Sequence, residues 1–168
     1  MRVVVQDASV LIDLGAAELL DAWFDLGIET LTTSFAWREV NRRSQKNKLR
    51  QFARDQRIQV VAISSDVLSE LLRKKMDLPR QLSLNDVSVL HLAVTRKAVL
   101  LTGDQCLRTC AETSSVEVHG LLWLLDYMVD EHALSPSSAA RKLELICRLN
   151  PRLPKTEIEM LLDKWRRG

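Results

Sequence analysis

Five short apolar runs punctuate the chain, and between them the hydrophobic positions change from continuous to helical spacing. The runs at 3–6, 29–33, 58–63, 99–102 and 116–119 are rich in β-branched residues and end in turn formers, which predicts short strands buried on both faces. Helical periodicity predicts helices over 16–26, 35–56, 66–76, 84–96, 105–112, 121–132, 137–149 and 155–167. Their starts carry local signals: Ser64-Ser65-Asp66, Ser83 with Asp86 three residues on, Ser135-Pro136, and Thr156 with Glu159 three residues on. Strand and helix alternate, so the fold class is α/β: a three-layer α/β/α sandwich around a central, mainly parallel sheet of about five short strands.

Length and composition narrow the picture. The 168 residues, 46% of them apolar and 27% charged, suit a globular protein with a sizeable core. With 5 Gly and 4 Pro, no linker or low-complexity segment stands out. One domain over 1–168 is expected, with residues from about 133 to 168 as a helical C-terminal extension. The first apolar run reaches Asp7 too soon for a signal-peptide core, and no apolar stretch approaches the roughly 18 residues of a membrane span. A cytoplasmic protein without membrane contact is expected. Cys106, Cys110 and Cys147 lack the spacing of a structural zinc site and read as reduced, partly buried thiols. His91, His119 and His132 are scattered, and His91 reads as a core or boundary histidine.

The acidic residues at element ends carry the chemistry. Asp7 closes the first run and Asp104 closes Ala98-Val-Leu-Leu-Thr-Gly-Asp104, so both fall at the carboxyl end of a strand, where open parallel sheets bind ligands. Glu39 borders the apolar stripe of a helix, which predicts partial shelter. Asp86 lies in the first turn of a buried helix, where Ser83 and Asp86 also form a capping box. Asp7 and Asp104 can likewise cap helices, and Asp13 and Asp66 are better explained as caps or solvated charges. Carboxylates brought together repel, which predicts a raised pKa on at least one and favours a hard cation with oxygen ligands between them.

In order and flanks, Asp7 with Ser9, Glu39 after a strand, Asp86 opening an apolar helix and Thr102-Gly-Asp104 closing a strand resemble the PIN-domain ribonuclease family. The resemblance covers about residues 1 to 120 and continues loosely to the end. It implies that Asp7, Glu39, Asp86 and Asp104 form an acidic quartet holding Mg²⁺ or Mn²⁺, with Ser9 and Thr102 in support. It further implies hydrolysis of single-stranded RNA, and for a small protein a likeness to the toxin half of a bacterial toxin–antitoxin pair, blocked by an inhibitory partner protein. The alternative is a catalytically silent PIN-like module that binds RNA or protein.

The remaining sequence agrees with metal-assisted phosphodiester hydrolysis. No phosphate-binding Gly-x-x-x-x-Gly-Lys-Ser/Thr loop is present, and Asp7-Ala-Ser9 lacks the second aspartate of haloacid-dehalogenase-like phosphatases. Net charge is only +2, yet eight basic residues between Arg38 and Arg57 face only Glu39 and Asp55. Arg38, Arg42, Arg43, Lys46, Lys48 and Arg50 are therefore candidates to guide an RNA backbone. Aromatic residues make up 5% of the chain, so base stacking is not expected to give strong sequence readout. The helix at Leu121-Leu-Trp-Leu-Leu-Asp-Tyr-Met-Val129 and the stripe Ile158, Leu161, Leu162, Trp165 offer apolar surface for packing, a homodimer seam or a partner helix.

Overall fold

The computed structural model describes residues 3–40, 43–150 and 153–167. Its strands are β1 (Val3–Gln6), β2 (Glu29–Thr33), β3 (Gln59–Val61), β4 (Val99–Leu101) and β5 (Val118–His119). They form one sheet in the order β3-β2-β1-β4-β5, with every neighbouring pair parallel. The fold is therefore α/β with an all-parallel five-stranded sheet flanked by helices, as the alternating pattern predicts. β1 is central because the chain builds outward through β2 and β3, then crosses back to place β4 on the other side of β1. That reversal creates a crevice beyond the carboxyl ends of β1 and β4. Val5 pairs with Leu31 on one side and Leu100 on the other, and all three are fully buried.

Two helical expectations change. The helix predicted over 16–26 is instead α1 (Ala8–Ala16) and α2 (Leu20–Asp25), separated by a turn in which Glu18 takes a left-handed φ of 56°. Val10, Leu11 and Leu14 bury one stripe of α1, so the chain turns helical at once after Asp7. The long helix predicted over 35–56 divides into α3 (Ser34–Glu39) and α4 (Arg43–Arg54), and Val40, with ψ of 82°, ends α3. Val40 is buried, so tertiary packing prevails over continuous helical periodicity there.

The remaining helices follow the sequence: α5 (Ser65–Asp77), α6 (Leu84–Arg96), α7 (Gln105–Thr113), α8 (Leu121–Asp130), α9 (Pro136–Leu149) and α10 (Lys155–Arg167). The nearly all-apolar α8 is accounted for within the chain, because Leu121, Leu122, Leu124, Leu125 and Met128 are buried and α9 and α10 pack on it. Trp165 of α10 is buried and its Nε1 donates to Asp126 Oδ1 at 3.0 Å, while Ile158, Leu161 and Leu162 are half-buried against the core. Among the described residues no helix is long and apolar enough to cross a membrane. All three cysteines are free. His91 is a boundary residue, its Nδ1 3.0 Å from Lys74 Nζ, and burial followed by the Lys74 charge holds its pKa down.

Candidate active site

At the carboxyl edge of the sheet a latch between two strand-end turns joins Asp7, Ser9 and Thr102 to the backbone of Gly103 and Asp104. Asp7 has extended backbone and caps α1, its Oδ1 accepting from Ala8 N at 2.7 Å. Its Oδ2 accepts two hydroxyls, from Ser9 Oγ at 2.7 Å and Thr102 Oγ1 at 3.0 Å. Each hydroxyl in turn accepts a backbone N–H of the turn after β4: Gly103 N donates to Ser9 at 3.3 Å and Asp104 N to Thr102 at 3.1 Å. Two amides, two hydroxyls and one carboxylate oxygen thus hold the ends of β1 and β4 in fixed relation. Both hydroxyls thus meet a carboxylate oxygen and a backbone amide at once.

Asp7 is only 4% exposed. Its pKa is raised, first because burial penalises the charged form and, as the lesser raising cause, because Asp86 repels it; the Ser9 and Thr102 hydroxyls and the Ala8 amide pull the other way. A raised carboxyl was expected from crowding, but desolvation is the larger cause. Immediately before it, the Gln6 side chain is fully buried and neither Nε2 nor Oε1 has a hydrogen-bond partner among the described residues.

Asp86 and Asp104 also serve as helix-end groups. Asp86 Oδ2 accepts from Ser83 N at 2.6 Å while Ser83 Oγ accepts from Asp86 N at 3.2 Å, the reciprocal capping box read from the sequence. Asp104 Oδ1 accepts from Leu107 N at 2.7 Å and caps α7. Each cap uses one carboxylate oxygen, and the second meets no protein donor among the described residues. Glu39 differs from expectation, being exposed at the end of α3. Asn85 Nδ2, beside Asp86 on α6, donates to Glu39 Oε1, and Thr33 Oγ1 lies 2.8 Å from Ser88 Oγ. These contacts stitch α3 to the first turns of α6 and bring Glu39 toward the Asp86 side. Asn85, Thr33 and Ser88 were not singled out in the sequence, since each bond spans about fifty positions that no local pattern links.

The donor set tests what cation would fit. The acids supply oxygen only, with no imidazole or thiolate among them, which suits Mg²⁺ or Mn²⁺. Among the described residues no three His, Cys, Asp or Glu side chains stand together as a ready-made metal cage. A buried carboxyl with a raised pKa, repelled by a second carboxylate, is nevertheless an environment that a cation would relieve.

The basic segment is only partly free. Lys48 pairs with Asp21, and Arg57 pairs with Asp25 while covering the Phe52 ring at 5.1 Å. Arg38 and Arg50 are exposed and have no carboxylate partner among the described residues. Arg42 and the side chains of Arg43 and Lys46 lie outside the described residues.

Acidic residues at the carboxyl edge of an all-parallel sheet, beside its switch point, place the chain among open-sheet α/β proteins whose ligand site lies at that edge. A family model described as the PIN domain matches residues 3–167, and the chain belongs to that family. PIN domains are in general nucleases that use divalent metal ions and bind RNA. By sequence, no curated protein matches. Among solved structures, the chain is similar in fold to PAE2754 from Pyrobaculum aerophilum, with a TM-score of 0.56 and 20% identity over 77% of this chain and 98% of that one.

Proposed function

We propose that this protein is an Mg²⁺- or Mn²⁺-dependent endoribonuclease that hydrolyses single-stranded RNA, with Asp7, Asp86, Asp104 and Glu39 as its acidic set. The observation that supports it most is the latch that holds Asp7 buried, repelled by Asp86 and bonded to both strand-end turns. Asp7, Asp86 and Asp104 would hold the cation, and Glu39 would contribute directly or through water. When bound, such a cation lowers the pKa of a coordinated water and offsets charge on the phosphate. Asp7, already desolvated, gains most from meeting it, so the carboxyl is kept ionised where it acts. Ser9 and Thr102 fix the direction of Asp7 Oδ2 and prevent it from swinging toward Ala8. Arg38 and Arg50, with Arg42, Arg43, Lys46 and Lys48, would draw the RNA backbone across α3 and α4.

A protein partner that blocks this edge would make the enzyme the toxin of a toxin–antitoxin pair. Cleavage of a labelled single-stranded RNA, with and without Mn²⁺, tests the proposal. Activity is expected with Mn²⁺ or Mg²⁺, lost in excess chelator and lost in Asp7→Asn. Undiminished cleavage in chelator or in that variant would overturn it. A second reading, a silent binding module, draws on the use of Asp86 and Asp104 as helix caps; binding of metal and RNA without turnover would favour it.

A further inference from the structure

Beside the crevice stands a column of rings that the acidic chemistry does not use. His119 ends β5, and its carbonyl accepts from Thr102 N at 3.0 Å, so it neighbours the residue that bonds Asp7. Trp123 stacks on the His119 ring with centroids 3.9 Å apart and planes 6° from parallel, and Tyr127 continues the column at 5.1 Å and 15°. All three rings are half-buried. Near-parallel stacking is an arrangement that aromatic side chains share with nucleobases, so a base can extend such a column. The column is a consequence of sequence: positions 119, 123 and 127 recur every four residues as β5 passes through Gly120 into α8.

The ring nearest the crevice is prepared for a further plane. Glu117 Oε1 lies 2.8 Å from His119 Nε2 and holds the imidazole by its edge, Trp123 covers one face, and among the described residues no ring stacks on the other. A cation stands close by. Arg108 of α7 donates from Nη1 to Val118 O at 3.2 Å, and a Cβ added at Gly120 would lie 3.0 Å from Arg108 Nη2. No carboxylate among the described residues pairs with Arg108.

We infer that His119, backed by Trp123 and Tyr127 and flanked by Arg108, forms a nucleotide subsite that stacks one base of single-stranded RNA on the outer face of His119 and takes its phosphate on Arg108. The inference rests on the ribonuclease reading and extends it from the backbone to a base. It gives a strand in the crevice a fixed point of attachment near Asp104 and requires no sequence readout, since every base has a face to stack.

Fluorescence anisotropy of a labelled RNA hexamer, measured on the full chain in chelator and again in Ca²⁺ with the hexamer checked intact, tests this. Melting curves of each variant establish folding. His119→Ala should weaken binding of the hexamer roughly tenfold, and His119→Phe, which restores a ring, should retain it. A hexamer of the same charge with abasic sugars should bind both variants and the wild type alike, and Arg108→Gln should weaken both ligands equally. Unchanged hexamer binding in His119→Ala, or equal losses on the abasic strand, would overturn the subsite while leaving the ribonuclease reading intact. If the wild type binds no single-stranded RNA in either condition, both fall.

Discussion

The two edges of the sheet differ in a way that separates space from chemistry. At the amino ends of β2 and β3 lies an open groove of about 830 Å³, lined by Phe24, Gly27, Ile28, Ala53, Arg57 and Ile58 among others. Among the described residues its one lining cation, Arg57, meets both Asp25 and the Phe52 ring. At the carboxyl edge a carboxyl is buried, repelled by a second one and braced by two hydroxyls. An open groove marks the first edge and a buried, raised carboxyl the second. Helix starts and strand ends at a carboxyl edge aim backbone N–H groups and short acidic side chains into one crevice, whereas at the amino edge the same elements present carbonyls. The comparison teaches that the edge where the chain stores electrostatic cost is the one to associate with a reaction.

The sharpest way to break this contrast is to unlatch Asp7. Ser9→Ala and Thr102→Val each remove one donor to Oδ2, and each should lower metal affinity or cleavage by about 10–100-fold, as loss of a supporting bond does. Activity unchanged in the double variant would leave the latch a purely structural feature. A moderate effect is expected on stability. Asp7 has a raised folded pKa, so its favourable contribution to the metal-free fold is present when it is protonated and is lost as pH rises through that pKa. Asp7→Asn should therefore melt a few degrees higher than wild type at neutral pH without metal, and the difference should vanish in acid. The asparagine can still accept from Ala8 N through Oδ1 and donate from Nδ2 to both hydroxyl oxygens, whose own hydrogens then turn away from residue 7. A lower melting temperature at neutral pH would assign the carboxylate a structural role. The smallest effect belongs to the other edge: Arg57→Gln, removing a largely exposed pair, should cost at most about 1 kcal/mol and leave cleavage within roughly twofold. A large activity loss there would reverse the contrast.

Much of this contrast was legible in the residues themselves. The run at 3–6 followed by Asp-Ala-Ser, and Leu-Thr-Gly-Asp104, announced two strand ends with matching polar turns, and the parallel sheet brings them side by side. Ser83 and Asp86 announced their capping box by spacing alone. The immediate start of α1 was hidden because Val10-Leu-Ile12 reads as well as a strand extension, and only burial against the sheet selects the helix. The break at Val40 was hidden because nothing in 35–56 is a Gly or Pro, so the interruption comes from packing. The bond of Asn85 to Glu39 and the stacking of Trp123 on His119 depend on three-dimensional neighbours, and His119 read as one scattered histidine among three.

The central claim is that Asp7 is the electrostatic focus of a cation site. Calorimetric titration of the purified protein with Mn²⁺ near neutral pH, beside Asp7→Asn, tests it most directly. The account predicts saturable binding in the wild type that weakens as pH falls through the raised Asp7 pKa and is lost in the variant, with Mn²⁺ raising the melting temperature of the wild type alone. Equal binding in the two proteins, or binding by the wild type that is indifferent to acid, would contradict it.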